Sequence, residues 1–170
     1  GICDDRACNY LLLGSDSREG LTPEEQVAFG TDEDIGGENR SDTIILVHTE
    51  PDQREAVFLS FPRDLWVEIP DIADDLNGQT HEKLNQAYLY GNPGFGYTDD
   101  PAQGPGLLAR TLTLNFGTQI DHYAAVNMRT FEKIVNAVDG IDVSMPETVD
   151  GRTATDTNKR LLFPAGTHHL

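Results

Sequence analysis

The sequence predicts an α/β fold in which helices cover both faces of a sheet. Short apolar runs bounded by turn-forming residues alternate along the chain with segments of helical periodicity. A length of 170 residues and a hydrophobic fraction of 38% are typical of one globular domain that is large enough to bury its own core. We therefore expect a single domain over residues 1–170, built around a layered sheet.

Six strands are expected, and four of them lie in the first half of the chain. The runs NYLLLG and TIILVHT are too short for helices and rich in aliphatic residues, which is typical of buried strands. AVFLSF and LWVEI continue this pattern, and the proline between them interrupts sheet pairing. The six strands are expected at residues 9–14, 43–49, 56–61, 65–69, 122–126 and 141–145.

Three segments have the apolar spacing of helices. EKLNQAYLY is followed by Gly91 and LLARTLTLNF by Gly117, and glycine is a common helix stop. The third segment, RTFEKIVNAV, is amphipathic. The expected helices span residues 82–90, 107–116 and 129–138, and the expected long loops span residues 15–42 and 92–105. Long loops in a compact domain often carry function.

The chain is strongly acidic, with 12 Lys and Arg against 29 Asp and Glu, a formal net charge of -17 and a pI near 4.4. Such a surface repels nucleic acid and anionic membranes, which disfavours a protein that binds phosphate backbones through overall charge. No apolar run approaches the roughly 18 residues that cross a bilayer. An enzyme, a metal binder and a protein-interaction module remain open.

The two cysteines, Cys3 and Cys8, lie five positions apart near the start of the chain. This spacing is neither that of a CxxC redox pair nor that of a four-ligand zinc site. A short-loop disulfide and two free thiols both remain open. The disulfide would place the domain outside the cytoplasm, because such bonds persist in oxidising compartments.

Two acidic motifs flank the first two expected strands. GSDSR, with Asp16 and Arg18, follows the first strand, and RSDT, with Arg40 and Asp42, precedes the second. If the strands are antiparallel neighbours, Asp16 and Asp42 converge on one divalent cation, and two carboxylates with substrate phosphates suit Mg²⁺. The guanidinium group of Arg40 would then donate hydrogen bonds to phosphate oxygens beside the metal. The alternative is that Asp16 caps a turn and that each Asp forms a salt bridge with an Arg.

Further cationic and amide side chains lie at the ends of later elements. Arg63 follows the third expected strand, and Lys83 and Asn85 open the first expected helix, where free backbone N–H groups attract an anion. The alternatives are that Arg63 pairs with Asp64 or Glu68 and that Lys83 is solvated.

Taken together, these segments resemble the LytR-CpsA-Psr family of bacterial cell-wall enzymes. The resemblance rests on GSDSR, RSDT, FPRDLWVEIP, KLNQAYLYG, IDHYAAVN, DGIDV and LLFPAGTHHL, which follow one another between Asn9 and Leu170. It therefore covers almost the whole chain and does not depend on one motif.

The resemblance implies a three-layer α/β/α fold with a mixed central sheet and a deep apolar pocket for a prenyl chain. It implies a phosphotransferase that moves a glycopolymer from a polyprenyl-pyrophosphate carrier to peptidoglycan through a phosphodiester bond. The glycopolymer, be it teichoic acid, capsule or arabinogalactan, stays open. The implied location is the outer face of the cytoplasmic membrane, with an N-terminal anchor before Gly1, and nucleic acid is not an expected partner.

The resemblance also implies roles for particular residues. Asp16 and Asp42 match metal ligands, for Mg²⁺ with Mn²⁺ as a substitute, and Arg40 and Arg63 match pyrophosphate-binding arginines. Lys83 matches a basic residue at the phosphate end, and we add Arg18 and Asn85 to the expected pyrophosphate site. The expected catalytic residues are Asp16, Arg40 and Arg63, with Asp16 as the candidate general base and Asp64 as an alternative partner that orients Arg63.

Two questions stay open at this level. Family members continue beyond the LLFPAGTHHL segment into a stretch with further arginines, so we expect the C-terminal part of the domain to be missing from residues 1–170. The same residues would also serve a polyprenyl-pyrophosphate hydrolase, in which water replaces the sugar hydroxyl. A non-catalytic module that binds the lipid carrier is the third hypothesis, although lipid binding alone needs no metal.

Overall fold

A four-stranded mixed sheet lies at the centre of the protein, which we describe from a computed structural model. Its strands are β1 (Cys8–Ser15), β2 (Ser41–Thr49), β3 (Ala56–Ser60) and β6 (His122–Val126). They lie side by side in the order β3-β2-β1-β6, with β1 antiparallel to β2 and parallel to β6. The structure describes Cys3 and residues 6–15, 17, 20–23, 26, 40–51, 55–72, 77–92, 101–151 and 162–170.

The other described elements are three helices and three two-stranded ribbons. The helices are α1 (Leu84–Tyr90), α2 (Gln103–Phe116) and α3 (Met128–Ala137). In the ribbons, β4 (Trp66–Glu68) pairs with β5 (His81–Lys83), β7 (Asp142–Met145) with β10 (Gly166–His169), and β8 (Val149–Asp150) with β9 (Leu162–Phe163).

The core lies between one face of the sheet and the helices α1 and α2. Alternate residues of a strand face opposite sides of a sheet, so Leu11 and Leu13 are buried whereas Leu12 is 37% exposed. Leu107 and Leu108 of α2 are fully buried in the same cluster. Burying these side chains is the main stabilising contribution to the fold, at about 1.5–3 kcal/mol for each leucine.

The opposite face of the sheet carries α3 beside β6. None of the ten residues of α3 is buried, and its apolar Phe131 and Ile134 are 54% and 48% exposed. The sequence-based expectation of an α/β fold with a mixed central sheet is therefore confirmed. The two faces differ, because one is closed by packed helices and the other is bordered by α3 and stays open along an apolar groove.

Helix boundaries are where the expectations were least accurate. α1 begins at Leu84 instead of residue 82, because residues 81–83 pair with β4 as a strand. α2 begins at Gln103 instead of residue 107, so the stretch read as loop is partly helical. A Cβ on Gly104 would lie 2.6 Å from the Tyr88 carbonyl, so this glycine permits α1 and α2 to approach closely. Residues 93–100 of the expected loop lie outside the described residues.

Cys3 and Cys8 form a disulfide, which decides between the two possibilities left open by their spacing. Ligand atoms of Cys3, Cys8 and His122 lie within 4.8 Å of one another, but the disulfide uses both sulfurs. None of the described helices is both long and apolar enough to cross a membrane.

Candidate active site

The site is built where β1 and β2 meet, at a bulge in their pairing. Gly14 faces Thr43 and Ser15 faces Ser41, so the register passes over Asp42. A bulge of this kind redirects a side chain out of the regular alternation and is common beside active sites. A Cβ on Gly14 would lie 2.8 Å from Cβ of Thr43, so the close approach of the strands requires glycine here.

The hydroxyl of Ser41 helps to fix the backbone at this bulge. Ser41 is fully buried, and its Oγ donates to the Thr43 carbonyl at 2.9 Å. The same Oγ lies 3.3 Å from the Gly14 carbonyl of the neighbouring strand. A buried hydroxyl between two carbonyls satisfies polar groups that the bulge removes from regular pairing. This arrangement holds Asp42 at the end of the sheet.

An alternating row of charges starts from Asp42. Nη1 of Arg63 lies 2.8 Å from Oδ2 of Asp42, and Nε of Arg63 lies 3.7 Å from Oδ2 of Asp64. Nζ of Lys83 lies 2.9 Å from Oδ1 of Asp64. The hydrogen bond from Lys83, followed by the charges of Lys83 and Arg63, lowers the pKa of Asp64. Asp64 is therefore ionised near neutral pH.

Backbone hydrogen bonds hold Arg63 next to the start of α1. The N–H of Leu84 donates to the Leu65 carbonyl at 2.8 Å, and the N–H of Asn85 donates to the Arg63 carbonyl at 3.0 Å. The expectation that the start of this helix offers free N–H groups to an anion is therefore wrong for these two groups. Helix α1 contributes the side chains of Asn85 and Gln86 to the site, and the backbone hydrogen bonds fix their positions relative to Arg63.

The charged row borders a polar cavity of about 310 Å³. The five expected site residues that the structure describes meet here, although they come from three separate segments. The lining consists of Arg40, Asp42, Arg63, Asp64, Lys83, Asn85 and Gln86. Asp16 and Arg18, the other two expected site residues, lie outside the residues that the structure describes.

The sequence analysis did not select Gln86, and it did not identify Arg63 as the ion-pair partner of Asp42. Gln86 follows Asn85 in the KLNQAYLYG segment, and its polar side chain beside a selected residue was the available signal. The spacing suggested Arg40 as the arginine of Asp42, whereas the ion pair that the structure records for Asp42 is with Arg63. Chain spacing reports only local neighbours, and this pair joins two segments.

Asn85 has a buried oxygen that the described residues leave unpartnered. The residue is 6% exposed, and its Oδ1 has no hydrogen-bond partner in the part of the chain that the structure describes. Leaving such an acceptor unsatisfied costs about 1–3 kcal/mol. Unpaired polar atoms in native proteins are often explained by an ion or ligand. The amide of Asn85 is therefore suited to contact a ligand in the polar cavity.

The donor set in this cavity suits a hard divalent cation next to an anion. Asp42 offers a carboxylate, Asn85 offers an amide oxygen, and neither atom type is soft. Mg²⁺ binds one or two carboxylates and completes its coordination with water and substrate phosphates. The cations Arg40, Arg63 and Lys83 line the same cavity and favour phosphate oxygens. The residues present thus fit the metal ion expected from the sequence.

An apolar groove of about 590 Å³ lies beside the polar cavity, on the open face of the sheet. Strands β1 and β2 form its floor and α3 forms a wall. Its apolar lining includes Leu12, Ile45, Val126, Met128, Phe131 and Ile134. Asp42 lines both the groove and the polar cavity, so the two spaces meet at this carboxylate.

Known proteins share both the sequence pattern and the fold. The model of the LytR_cpsA_psr family matches residues 3–170. LcpB of Corynebacterium glutamicum, a probable cell wall biosynthesis protein, is 36% identical over 146 residues, which are 86% of this chain and 30% of that protein. TagU of Oceanobacillus iheyensis, a polyisoprenyl-teichoic acid–peptidoglycan teichoic acid transferase, is 35% identical over 138 residues, which are 81% of this chain and 34% of that protein.

The solved structure of YwtF (TagT) of Bacillus subtilis with bound octaprenyl pyrophosphate lipid is 26% identical, with a TM-score of 0.63. The match covers 100% of this chain and 54% of that chain. The chain thus spans about a third of the length of these curated relatives and about half of the solved chain. Because the family model covers nearly all of its residues, the chain belongs to the LytR-CpsA-Psr family.

Proposed function

We propose that this chain belongs to a phosphotransferase that moves a glycopolymer from a polyprenyl-pyrophosphate carrier to peptidoglycan. One observation carries the proposal: Asp42 lines both a cavity rich in cationic side chains and an apolar groove. A molecule with a pyrophosphate group joined to a long hydrocarbon chain needs two such spaces side by side. TagT, the relative solved with octaprenyl pyrophosphate, is known to hold a molecule of this kind.

The polar cavity supplies the charge that a pyrophosphate needs. Arg40, Arg63 and Lys83 stand together in a chain whose formal net charge is -17, so their clustering is a local feature. A pyrophosphate diester carries two negative charges, and the leaving prenyl phosphate gains more as the bond breaks. Fixed cations that meet this growing charge lower the barrier, and arginine forks also orient the phosphates.

Asp42, together with Asp16 from the sequence motif, would hold Mg²⁺, and Mn²⁺ would substitute. When bound, the ion would neutralise charge on the phosphate oxygens. Asn85 lines the same cavity, and its buried Oδ1, which the described residues leave unpartnered, is an acceptor that a water molecule or the cation would satisfy. Arg63 is held on one side by Asp42 and on the other by Asp64, which limits the directions in which its guanidinium can turn.

The incoming sugar hydroxyl must lose a proton. Asp16 remains our candidate for the general base, because Asp64 is poorly suited to this role. Hydrogen bonding from Lys83 lowers the pKa of Asp64, and a carboxylate with a lowered pKa accepts protons weakly. Asp64 is better explained as the group that orients Arg63 and Lys83.

The apolar groove would take the prenyl chain. Its lining is almost entirely aliphatic and aromatic, and its volume of about 590 Å³ suits several isoprene units. We place the protein at the outer face of the cytoplasmic membrane, held by an N-terminal anchor, with the carrier-linked glycopolymer and peptidoglycan as partners. The disulfide Cys3–Cys8 supports an oxidising compartment.

A transfer assay tests the proposal. The protein is incubated with a glycopolymer on a polyprenyl-pyrophosphate carrier and with oligomeric peptidoglycan, in Mg²⁺ or in EDTA. We expect transfer to need the metal and to fall by about 10²–10³-fold in Asp42→Asn and in Arg40→Gln, as when a charge-stabilising group is removed from an active site. Arg110→Gln is the matched control, because Arg110 pairs with Asp71 and lines neither space.

Three outcomes would contradict parts of the proposal. Unchanged transfer in Asp42→Asn would refute the site. Wild-type transfer in EDTA would refute the metal. Release of free sugar phosphate without labelling of peptidoglycan would identify a hydrolase, which the same side chains could also serve.

A further inference from the structure

Trp66 is the only tryptophan in the sequence, and it lies in the ribbon formed by β4 and β5. Its side chain is 61% exposed. In the antiparallel register of the ribbon, Trp66 is paired with Lys83. Directly paired residues place their side chains on the same face, with Cβ atoms about 4.5–5.5 Å apart. The indole therefore lies beside the side chain of Lys83, which lines the polar cavity.

The backbone that carries Trp66 is held firmly by its neighbours. Val67, the next residue, faces the opposite side of the ribbon and is 3% exposed, so it packs in the hydrophobic core. Asn115 of α2 accepts a hydrogen bond from the N–H of Glu68 at 3.1 Å and donates one to the Glu68 carbonyl at 2.7 Å. The indole is thus presented to solvent from a fixed backbone, which lowers the entropy cost of binding a ligand there.

Exposed polar side chains lie on the same face of the ribbon as the indole. Glu68 and His81 form a second pair, two residues along each strand from Trp66 and Lys83, and both are exposed. Residues two apart on a strand share a face, so a carboxylate and an imidazole accompany the indole. An aromatic ring can pack against the apolar C–H face of a sugar while nearby polar groups hydrogen-bond the sugar hydroxyls. This face offers both kinds of group.

The order of the groups along the site matches the order of the parts in a carrier-linked glycopolymer. The charged row begins at Asp42, which also lines the apolar groove, and ends at Lys83, which is paired with Trp66. In the carrier, the prenyl chain is joined to one phosphate and the first sugar to the other. A molecule with its prenyl chain in the groove and its pyrophosphate along the row would therefore extend its first sugar toward Trp66.

We propose that Trp66 is a sugar-binding residue, against which the first pyranose ring of the carrier-linked glycopolymer packs. This inference rests on the proposed function, because it assumes that the pyrophosphate lies among Arg40, Arg63 and Lys83. It adds a contact with the transferred group, at a position outside both the polar cavity and the apolar groove. A pyranose ring of the peptidoglycan acceptor has the same chemistry, so the experiment must separate the two sources.

Two probes of equal charge, with and without a sugar, test the inference. Geranylgeranyl pyrophosphate is esterified at its free end with methyl or with N-acetylglucosamine, and each probe is titrated into the protein in Mg²⁺ by calorimetry. In the wild type we expect the sugar probe to bind about 3–10-fold more tightly, which is the contribution of one aromatic contact. Because the chain has a single tryptophan, its fluorescence should shift to shorter wavelength with the sugar probe, as the indole loses contact with water.

The variant Trp66→Ala should bind the methyl probe normally and lose the gain from the sugar, so that the ratio of the two affinities falls to one. In the transfer assay, its KM for the carrier-linked glycopolymer should rise by about 3–10-fold, with the KM for peptidoglycan unchanged. Trp66→Phe keeps an aromatic ring and should retain most of the ratio. Phe58→Ala is the matched control, because Phe58 is 66% exposed on β3 and lines neither space. Thermal unfolding of each variant reports whether the fold is intact.

Three results would overturn the inference: equal affinities of the two probes for the wild type, a wild-type ratio in Trp66→Ala, or a rise in the KM for peptidoglycan in place of the KM for the carrier. The last result would assign the sugar at Trp66 to the acceptor. If the methyl probe binds and transfer is intact while one of these results is found, only the sugar contact is wrong. If neither probe binds the wild-type protein, both the proposed function and the sugar contact are wrong.

Discussion

Nη1 of Arg63 lies 2.8 Å from Oδ2 of Asp42, so a turn after β3 and a bulge in β2 share one ion pair. The two side chains are 52% and 36% exposed. Ion pairs this accessible to water typically contribute no more than about 1 kcal/mol to stability. The pair is therefore better explained by what it does to the orientation of Arg63 than by what it does for the fold.

Replacing Arg63 with lysine separates charge from geometry. Arg63→Lys keeps the positive charge but loses the planar fork that can reach both Asp42 and a phosphate. We expect transfer to fall by about 10²-fold, while the free energy of unfolding changes by less than about 1 kcal/mol. Steady-state transfer rates and urea unfolding measure the two effects. A variant as active as the wild type would show that the guanidinium geometry is unimportant.

Asn85 offers a test in which stability and activity should change in opposite directions. Asn85→Leu removes a buried oxygen that the described residues leave without a partner, and the new side chain has a similar size. We expect the free energy of unfolding to stay equal or to rise by about 1 kcal/mol, because an unsatisfied buried acceptor is lost. Transfer should fall, since the substrate loses a contact.

The result is read by comparing urea unfolding with the KM for the carrier substrate. A loss of stability greater than about 2 kcal/mol would mean that Asn85 has a structural partner in the native protein. Gln86→Leu is a useful comparison, because Gln86 lines the same cavity and is not buried to the same degree.

The sequence predicted the parts of this site that depend on local pattern. Apolar runs located β1 and β2, and turn-forming residues located the ends at which Asp42 and Arg63 stand. Two-residue strands such as β8 and β9 contain too few residues for a periodic signal. The glycines near the start of α2 were read as loop residues because their role in helix packing depends on Tyr88, in another helix.

The sequence pattern did not predict the long-range contacts. The pairing of Asp42 with Arg63 instead of Arg40 depends on how β3 lies against β2. The contact of Arg129 with Gly20 joins residues 109 positions apart and has no spacing that could reveal it. A single sequence reports composition and period, whereas the choice between possible partners is made by tertiary packing.

The pKa of Asp64 should lie below 3.8, the ordinary value for an aspartate, because Lys83 donates a hydrogen bond to Asp64 and Arg63 lies beside it. Carbon-13 NMR of the carboxyl groups can measure this midpoint. In Lys83→Met we expect the pKa of Asp64 to rise toward its ordinary value. Because the folded pKa is lowered, the interaction is present above the ordinary pKa and is lost as the pH falls through the folded pKa.

The ion pairs of Asp64 should therefore survive mild acid. The range from about pH 5 to about pH 7 lies well above an ordinary aspartate pKa. If transfer is lost in this range, the titration of another group must cause the loss. An Asp64 midpoint that is identical in the wild type and in Lys83→Met would show that the ion pair does not persist in solution.

His169 ties the end of β10 to the turn that follows α3. Its Nδ1 lies 2.8 Å from Oδ1 of Asp142, and its Nε2 lies 2.8 Å from the carbonyl of Asp139. Both neighbours are acceptors, so both ring nitrogens must carry protons if both hydrogen bonds form. The hydrogen bond to Asp142, and then that to Asp139, raises the pKa of His169 above its ordinary value near 6.5.

We therefore expect a pH-dependent contribution of His169 to stability. Since the folded pKa is raised, the contribution is fully present below about pH 6.5 and is lost as the pH rises through the folded value. His169→Gln should flatten the pH dependence of the melting temperature in this range. His168→Gln is the matched control, because the hydrogen bond recorded for the ring of His168 is to the Pro164 carbonyl and not to a carboxylate. If His168→Gln flattens the profile and His169→Gln does not, the protonated imidazole between Asp142 and Asp139 is not what stabilises this turn.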